Sequence, residues 1–374
     1  VTGQPTGGPG PADAPRRPRL TDVASGAGVS TGTVSLVLRG EPGPSTETRR
    51  RVLETAAALG YRPDRTASLL ARRRSRLLGV LVDPHSSFHA ELVEELDAAA
   101  QAAGYDIVLS PLTRVRDESR AIETLLDFRS EALILLGPGI PAARLAQLAE
   151  QLPAVVVGRR LSPLVTDVVR AADAAGIGQA VDHLADLGHQ QIVFVDGGRG
   201  PGTIATDRRR GYRTAMRRRD LERFVRVLPG DHTEIAGIAA AECLLREADL
   251  PTAVITYNDR CAVGLLDALT RAGVPVPGHV SVVGYDDSPQ SRWAHIELTT
   301  VQQNARQQAE HAVTAAHQRL NGRAEPREIL LAPQLVVRST TSVARTRPAD
   351  AASSSLPARG AHGSTPVPHS RPPG

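Results

Sequence analysis

Several stretches of this sequence carry residues whose types and spacing could do chemistry, and most stop one residue short of a known arrangement. GGRGPGT (Gly197–Thr203) follows an apolar run and has the glycine content of a phosphate-cradling loop. It lacks the lysine that reaches the phosphates in a Walker-type motif. GIGQAV (Gly176–Val181) has no third glycine for a dinucleotide fingerprint and no strand running straight into it, so it reads as a helix start. His85 and His89 have the four-residue spacing of two zinc ligands on one helical face, but no third ligand is near. They read as surface or ligand-pocket histidines. Cys243 and Cys261 are too few for a disulfide scaffold and lack metal spacing, which fits a reducing compartment. No Ser/His/Asp or Cys/His set stands out. The expectation is a binding protein rather than an enzyme, with no cofactor and no metal.

The binding chemistry that does stand out is basic and near the start. Between Arg16 and Arg76 thirteen arginines face five acids, a net of eight positive charges against +4 for all 374 residues. A basic head on a mildly acidic body is the electrostatic footprint of a nucleic-acid partner. Within it lies GVSTGTVSLVL (Gly28–Leu38). Gly28-Val29 makes a turn, Ser30 can cap a helix, and Val34, Val37 and Leu38 fall on one helical face. Thr31, Gly32, Ser35, Leu36 and Arg39 fall off that face. A helix over about Thr21–Ala27 precedes the turn. A third, capped by Ser45, sets Val52, Leu53, Ala56 and Leu59 on one face before stopping at Gly60. Two short helices about a glycine turn, braced by a third, is the helix-turn-helix arrangement.

Hydrophobic residues make up 41% of the chain and aromatics only 3%, so a sizeable core must be built from Ala, Val, Leu and Ile. No apolar run reaches the ~18 residues of a membrane span. The start of the chain lacks the apolar segment of a secretory signal, and a cytoplasmic protein without membrane contact is expected. Residues 1–17 and 342–374 are rich in Gly, Pro and Ser and read as disordered tails. From Leu77 onward short apolar runs (LLGVLV, YDIVLSP, ALILLGP, AVVVGR, QIVFVDG, VRVLPG, AVITYND, VSVVGYDD) alternate with helical patterns such as Glu91–Ala103, Glu118–Phe128, Ile177–Leu187 and Asp259–Ala272. That alternation predicts an α/β body with parallel, doubly wound sheets, and its length predicts two similar lobes. In such sheets ligands sit outside the carboxyl ends of the strands. Attention therefore falls on the loops at 83–88, 137–139, 196–202, 258–259 and 285–288.

The stretch LTDVASGAGVSTGTVSLVLRGEPGPSTETRRRVLETAAALGYRPDRTASLLARRRSRLLGVLV resembles the head and hinge of a LacI/GalR-family transcriptional regulator. The likeness continues through AVDHLADLGHQQIVFV, RRRGYRTAM, PTAVITYNDRCAVGLLDAL, VPVPGHVSVVGYDDSP, LTTVQQ and LVVRSTT, covering about Leu20 to Thr341 in order. The resemblance implies an all-α helix-turn-helix domain over 18–62, a hinge helix and linker over 63–76, and a periplasmic-binding-protein-like core over 77–341. It also implies a homodimer or a dimer of dimers, a near-palindromic double-stranded DNA operator, and a small-molecule effector that in this family is most often a sugar, with nucleobases and other small metabolites left open. A solute-binding protein of a transport system is the alternative, and it would leave the basic head unused.

Carried over position by position, the resemblance gives Thr31, Gly32 and Leu36 to base reading, Thr33 and Ser35 to the DNA backbone, and Thr21 and Arg39 to the same interface. In RPDRTASLLARRR, Asp64 can cap a helix over Arg65–Ala71. Leu70 matches the leucine that wedges into the minor groove, and Arg72–Arg74 would meet phosphates. Arg208, Asn258, Asp286 and Gln303 match effector-contacting positions, and Ser86 and Phe88 supply a hydroxyl and a ring. Trp293 could stack on a sugar face or be plain core, and Asp259 is expected to cap the helix after its strand rather than bind. The chain also departs from the family pattern. Leu36 stands where Arg is common, and Gly32 replaces a longer polar side chain. Ala172 replaces an Asp for which Asp173 can stand in, and DPHSSFH and HIELTT lack the usual aromatic and proline residues.

Overall fold

The computed structural model describes residues 18–61, 74–198 and 204–345. The expected hinge helix with Leu70, most of both tails and residues 199–203 lie outside them. The chain divides into two compact units between Ser75 and Arg76.

Among its described residues the head has three helices, α1 (Leu20–Ala27), α2 (Thr31–Leu38) and α3 (Thr46–Ala58). Its core is small: Val23, Ala24, Ala27, Val34, Val37, Val52 and Ala56, with Tyr61 packed against it. Gly28 takes a left-handed conformation (φ 63°) that returns the chain from α1 to α2, as its place in the turn requires. Gly26 is fixed by packing instead, because a Cβ there would sit 2.8 Å from Thr55 Cγ2. One expectation fails. Leu53 and Leu59 are 48% and 41% exposed, and only Val52 and Ala56 of the expected α3 stripe are buried. Each α-helical residue turns ~100°, so the i, i+4 pair fills the narrow core and Leu53, one position on, points past it. Leu59 is already the residue that ends the helix.

The body starts with β1 (Leu77–Val82), α4 (Ser87–Ala102), β2 (Asp106–Pro111), α5 (Glu118–Asp127), β3 (Ala132–Leu136), α6 (Ala142–Gln151), β4 (Ala154–Val157) and β5 (Asp167–Ala171). It continues with α7 (Asp173–Asp186), β6 (Ile192–Val195), α8 (Ile204–Arg218), β7 (Arg226–Leu228), α9 (Glu234–Leu245), β8 (Ala253–Thr256), α10 (Asp259–Arg271) and β9 (Ser281–Val283). Then come β10 (Thr300–Gln302), α11 (Ala305–Leu320), β11 (Glu328–Leu331) and β12 (Gln334–Val336). The first lobe holds a six-stranded parallel sheet ordered β11-β5-β4-β3-β1-β2. The second holds a four-stranded parallel sheet ordered β7-β6-β8-β9. β10 and β12 form a short antiparallel pair beside the second lobe.

Central strands are buried on both faces, as their unbroken apolar runs require. In the first lobe Leu78, Val80 and Ile134 meet Leu92 and Leu96 of α4 and Ala309 and Ala312 of α11. On the opposite face Leu81, Leu133 and Leu135 meet Leu125 of α5 and Leu145 and Leu148 of α6. The chain passes between lobes three times, after β5, between β10 and α11, and between β11 and β12. In the order of each sheet β1 and β6 have neighbours on opposite sides, so the loops that follow them open at the crevice between the lobes.

The second lobe depends on a close approach of α9 and α10. A Cβ at Gly237 would lie 1.9 Å from the Cys261 carbonyl oxygen, and one at Gly264 would lie 2.0 Å from the Glu234 carbonyl oxygen. Neither helix can yield without moving backbone. Gly237→Ala is expected to destabilise the body by about 2 kcal/mol or more, read as a lowered Tm, even though alanine is the better helix former. An unchanged Tm would show that this helix pair is looser than its geometry.

Candidate ligand site and nucleic-acid interface

In the head, the start of α2 is built by its cap. Ser30 Oγ accepts from Thr33 N at 3.1 Å and lies 2.9 Å from the Thr33 hydroxyl. Thr31 and Gly32 are exposed, Ser35 and Leu36 half-buried, and Thr21 of α1 exposed. Thr33 is therefore partly committed to the cap. A Cβ at Gly32 would meet only Ser30 Oγ at 3.6 Å, so no steric demand explains the glycine.

The arginines divide sharply. Arg49 donates to the Val37 and Glu41 carbonyls at 3.3 and 2.7 Å and closes the end of α2. Arg50 is paired with Glu47 and Glu54, and the exposed Arg39 with Glu41 at 3.1 Å. Counting charge missed this. The signal was available, because Glu47, Arg50 and Glu54 stand at helical i, i+3 and i+4 spacing.

In the body, four of the expected effector residues converge. Arg208, 3% exposed at its side chain, donates from Nε to Asp173 Oδ1 at 2.8 Å and from Nη1 to the Tyr257 carbonyl at 2.6 Å. Its Nη2 lies 3.6 Å from Asp286 Oδ1, which also accepts from Gln303 Nε2 at 2.6 Å. The guanidinium carbon lies 3.6 Å from the centre of the Tyr285 ring and 4.7 Å from that of Tyr257. Cation–π contact and two carboxylates thus hold one buried charge. The two tyrosines were not singled out from the sequence; they are the last residues of two apolar runs and carry no motif of their own. The carriers are distinct: Asp173 opens α7 just past the first lobe crossing, Arg208 lies on α8, Asp286 follows β9, and Gln303 lies on the second crossing.

One guanidinium cannot neutralise two carboxylates. Burial pushes both Asp173 and Asp286 above the ordinary carboxylate range, and the charge of Arg208 only partly opposes it. Asp286 is held in a left-of-normal backbone conformation (φ 121°), which points to a position fixed by its neighbours.

The other expected contacts lie outside this network. Asn258 caps α10, accepting from Cys261 N at 2.9 Å and donating to the His232 carbonyl at 3.1 Å. Asp259 does not cap; fully buried, it accepts from Ser288 N at 2.7 Å, the Ser288 hydroxyl at 2.9 Å and the Thr300 hydroxyl at 2.5 Å. Ser86 caps α4 through His89 N at 3.3 Å, and the Phe88 ring is packed in the first-lobe core. Trp293 is half-exposed and stacks on His295 with ring centres 5.8 Å apart. His89 Nδ1 accepts from Asp83 N at 3.2 Å, and burial pushes the ring down to about 4, so it stays neutral near neutral pH.

Side chains also clasp the lobes across the crevice. Arg260 donates to the His85 carbonyl at 2.8 Å, Gln290 to the Ser87 hydroxyl, and Arg292 lies 3.5 Å from Glu91. Among the described residues no group of three or more His, Cys, Asp or Glu could hold a metal ion, and no helix is long and apolar enough to cross a membrane.

The profile of bacterial regulatory proteins of the lacI family matches residues 19–64, and that of the periplasmic binding protein-like domain matches residues 181–341. The lactose operon repressor of Escherichia coli is 32% identical over 339 residues, spanning 88% of this chain and 92% of that one. The chain belongs to the LacI family. Catabolite control protein A of Priestia megaterium is 32% identical over 293 residues, 76% of this chain and 87% of that protein. Among solved structures, the lac repressor dimer bound to operator and the anti-inducer ONPF superposes with a TM-score of 0.75 at 30% identity, covering 87% of this chain and all of that one. The complex of the transcriptional regulator CelR with cellobiose gives 0.64 at 29% identity over 87% and 100%. This LacI-family regulator thus has the expected fold: a helix-turn-helix head and a two-lobed periplasmic-binding-protein-like core.

The surplus carboxylate has a measurable consequence. A carboxylate raised by folding binds its proton more tightly in the native state than in the unfolded one. Its stabilising contribution is complete below the unfolded value of ~3.9 and is lost as pH rises through the native value toward neutrality. Asp286→Asn imitates the protonated form and keeps an acceptor for Gln303. It is expected to raise Tm at pH 8 by about 2–4 °C, for a gain of order 1 kcal/mol, and to converge with the native protein near pH 4. A melting series in which the variant is less stable at pH 8 would show that Arg208 neutralises Asp286 fully.

Proposed function

We propose that this regulator is a repressor that binds a near-palindromic DNA operator as a homodimer and is controlled by a sugar or similar polyol held between the lobes. The observation that carries this reading is the Asp173–Arg208–Asp286–Gln303 chain at the crevice. Carboxylates, an amide and a guanidinium are the groups that can each serve two hydroxyls, and a polyol that left any of them unpaired would bind poorly. Solved relatives hold both kinds of partner: the lac repressor dimer is bound to operator and the anti-inducer ONPF, and CelR is bound to cellobiose. The chain acts where the DNA is, in the cytoplasm.

Thr21, Thr31, Gly32, Thr33, Ser35, Leu36 and Arg39 form the head surface offered to DNA. Leu36 reads an apolar edge such as a thymine methyl, since it cannot make the bidentate contact that Arg makes to guanine. Leu70, outside the described residues, wedges into the minor groove. The second carboxylate at Arg208 gives an effector hydroxyl a strong acceptor. An effector that draws Asp286 and Gln303 to itself changes contacts on a lobe crossing, and so the spacing of the paired heads. A coupling of about 1–3 kcal/mol between the two sites is expected, reciprocal by necessity.

The operator is selected from a pool of symmetric duplexes and the effector from a thermal-shift panel of sugars. Asp286→Ala is then expected to lose the effector response while operator affinity stays within about twofold; an unchanged response removes the carboxylate from the site. Leu70→Ala is expected to weaken specific binding at least tenfold (about 1.4 kcal/mol) and binding to random duplex far less. Equal losses would contradict the wedge. A body lacking residues 1–76 should lose all salt-dependent retention on DNA.

A further inference from the structure

The body begins at a backbone position that its neighbours hold under strain. Arg76 is its first residue, and it takes a left-handed conformation (φ 57°) although it carries a side chain. Such a conformation is costly for any residue but glycine and persists only where the surroundings over-determine it. Here they do. The Arg76 N–H donates to Glu131 Oε1 at 3.0 Å, and the Arg76 carbonyl accepts from Asp106 N at 2.9 Å. The guanidinium carbon lies 5.5 Å from the centre of the Tyr105 ring. Glu131 and the adjacent pair Tyr105-Asp106 therefore fix both the backbone and the side chain of Arg76.

Tyr105 is 2% exposed, so its hydroxyl must find a partner inside the body. It finds His317, in the last turn of α11. The two rings meet edge to face with centres 5.9 Å apart. Asn321 Nδ2 donates to His317 Nε2 at 2.9 Å, which leaves the ring proton on Nδ1, 3.3 Å from the Tyr105 oxygen. The other end of α11 stands at the effector crevice. Gln303, which donates to Asp286, precedes the capping residue Asn304, whose side chain accepts from Gln307 N at 3.0 Å. Gln308 Nε2 returns from α11 to the Gln303 carbonyl at 2.9 Å, so Gln303 is tied to the helix by a side chain as well as by the chain itself. A helix is stiff over the ~20 Å between Gln303 and His317, and a shift at its first turn is felt at its last.

We propose that His317 and Tyr105 are positioning residues that relay the state of Gln303 along α11 to the backbone at Arg76, from which the chain leads to the head. The proposal rests on the reading of Gln303 as part of the effector site and names the route by which that site reaches the start of the body. Neither His317 nor Tyr105 has to touch effector or DNA for this.

The test is amide hydrogen exchange on the full chain, resolved at Arg76, without effector or DNA. Gln303→Ala cuts the bond to Asp286 at the near end of α11. It is expected to change the exchange rate of the Arg76 amide by about threefold or more in the native background, and by less than about 1.5-fold where Tyr105→Phe has removed the hydroxyl and kept the ring. His317→Phe should silence the response in the same way, and it decides the matter if Tyr105→Phe does not fold. An equal response in all backgrounds, or none in the native one, would overturn the relay. On the selected operator, residues this far apart ordinarily multiply their effects on affinity. Gln303→Ala and Tyr105→Phe together are expected to depart from that product by about threefold or more, and agreement with the product would overturn the relay as well. Failure to select any operator would sink the repressor reading alone, and the exchange experiment would still decide the relay.

Discussion

The burial of Arg208 is the constraint on which the body depends. A guanidinium 3% exposed must find its partners inside the protein, and it finds them on three segments far apart in sequence. Asp173 stands just past the first lobe crossing, and Gln303 on the second holds Asp286, so charge compensation and hinge geometry are linked. Removing one partner from a buried pair typically costs about 3–5 kcal/mol, because the charge left behind stays buried. The small groups around the cluster follow from this. Gly176 on α7 leaves room for the Tyr285 hydroxyl, which a Cβ would approach to 2.6 Å, and Gly211 on α8 lets that helix pass the backbone of Ala174. The paired glycines of α8 and α7 bring Arg208 to Asp173; the carboxylate then holds the charge.

On the proposed reading, the second carboxylate turns this structural pair into a site. A matched Arg–Asp pair would be a closed unit with little reason to exchange partners. Asp286 adds an acceptor that Arg208 reaches only at 3.6 Å and that Gln303 satisfies on one side. Burial is the main cause of its raised proton affinity, and Arg208 and Gln303 offset only part of it. The clasp at the crevice rim works on a smaller scale. Exposed or half-exposed contacts such as Arg292 with Glu91 are each worth ~1 kcal/mol or less, so they bias the opening of the lobes without locking it.

The α/β class and the two-lobed body were legible because each central strand is buried on both faces and therefore writes an unbroken apolar run. β5, β10, β11 and β12 are harder to see, since they are short and carry charged or polar residues such as Asp167, Arg170, Glu328 and Gln334 at their ends and exposed edges. Helix starts were also read late. α4 begins at Ser87 and α7 at Asp173, four residues before the pattern suggested, because their first turns (Ser-Phe-His-Ala and Asp-Ala-Ala-Gly) hold too few large apolar residues to show a helical period. In the site, Asp173, Arg208, Asp286 and Gln303 could be placed by resemblance, but the rings around Arg208 could not. Position within a pocket is set by side-chain direction at the strand ends, and a one-dimensional pattern does not record it. Asn258 and Ser86 show the converse: polar residues at strand ends serve helix caps as readily as ligands.

The head shows why net charge is a poor guide to what DNA a protein reads. Arg49 is consumed in closing α2, Arg50 in pairing along α3, and Arg39 faces Glu41. The α2 face is left with the hydroxyls of Thr31 and Ser35, the bare backbone at Gly32 and the branched side chain of Leu36. Apart from Arg39, which Glu41 holds at 3.1 Å, such a surface offers no forked cation to guanine. On the proposed reading, its discrimination rests on methyl contacts, on close backbone approach where Gly32 has no side chain, and on how readily the duplex deforms. Gly32 lies in the first turn of a capped helix, where a side chain would fit, so the helix gives up propensity there for no packing gain. That sacrifice makes sense if the groove floor or a phosphate comes close enough to α2 to exclude a Cβ. The absence of a side chain at position 32 then carries the sequence information, by permitting a fit that any larger residue would hold off.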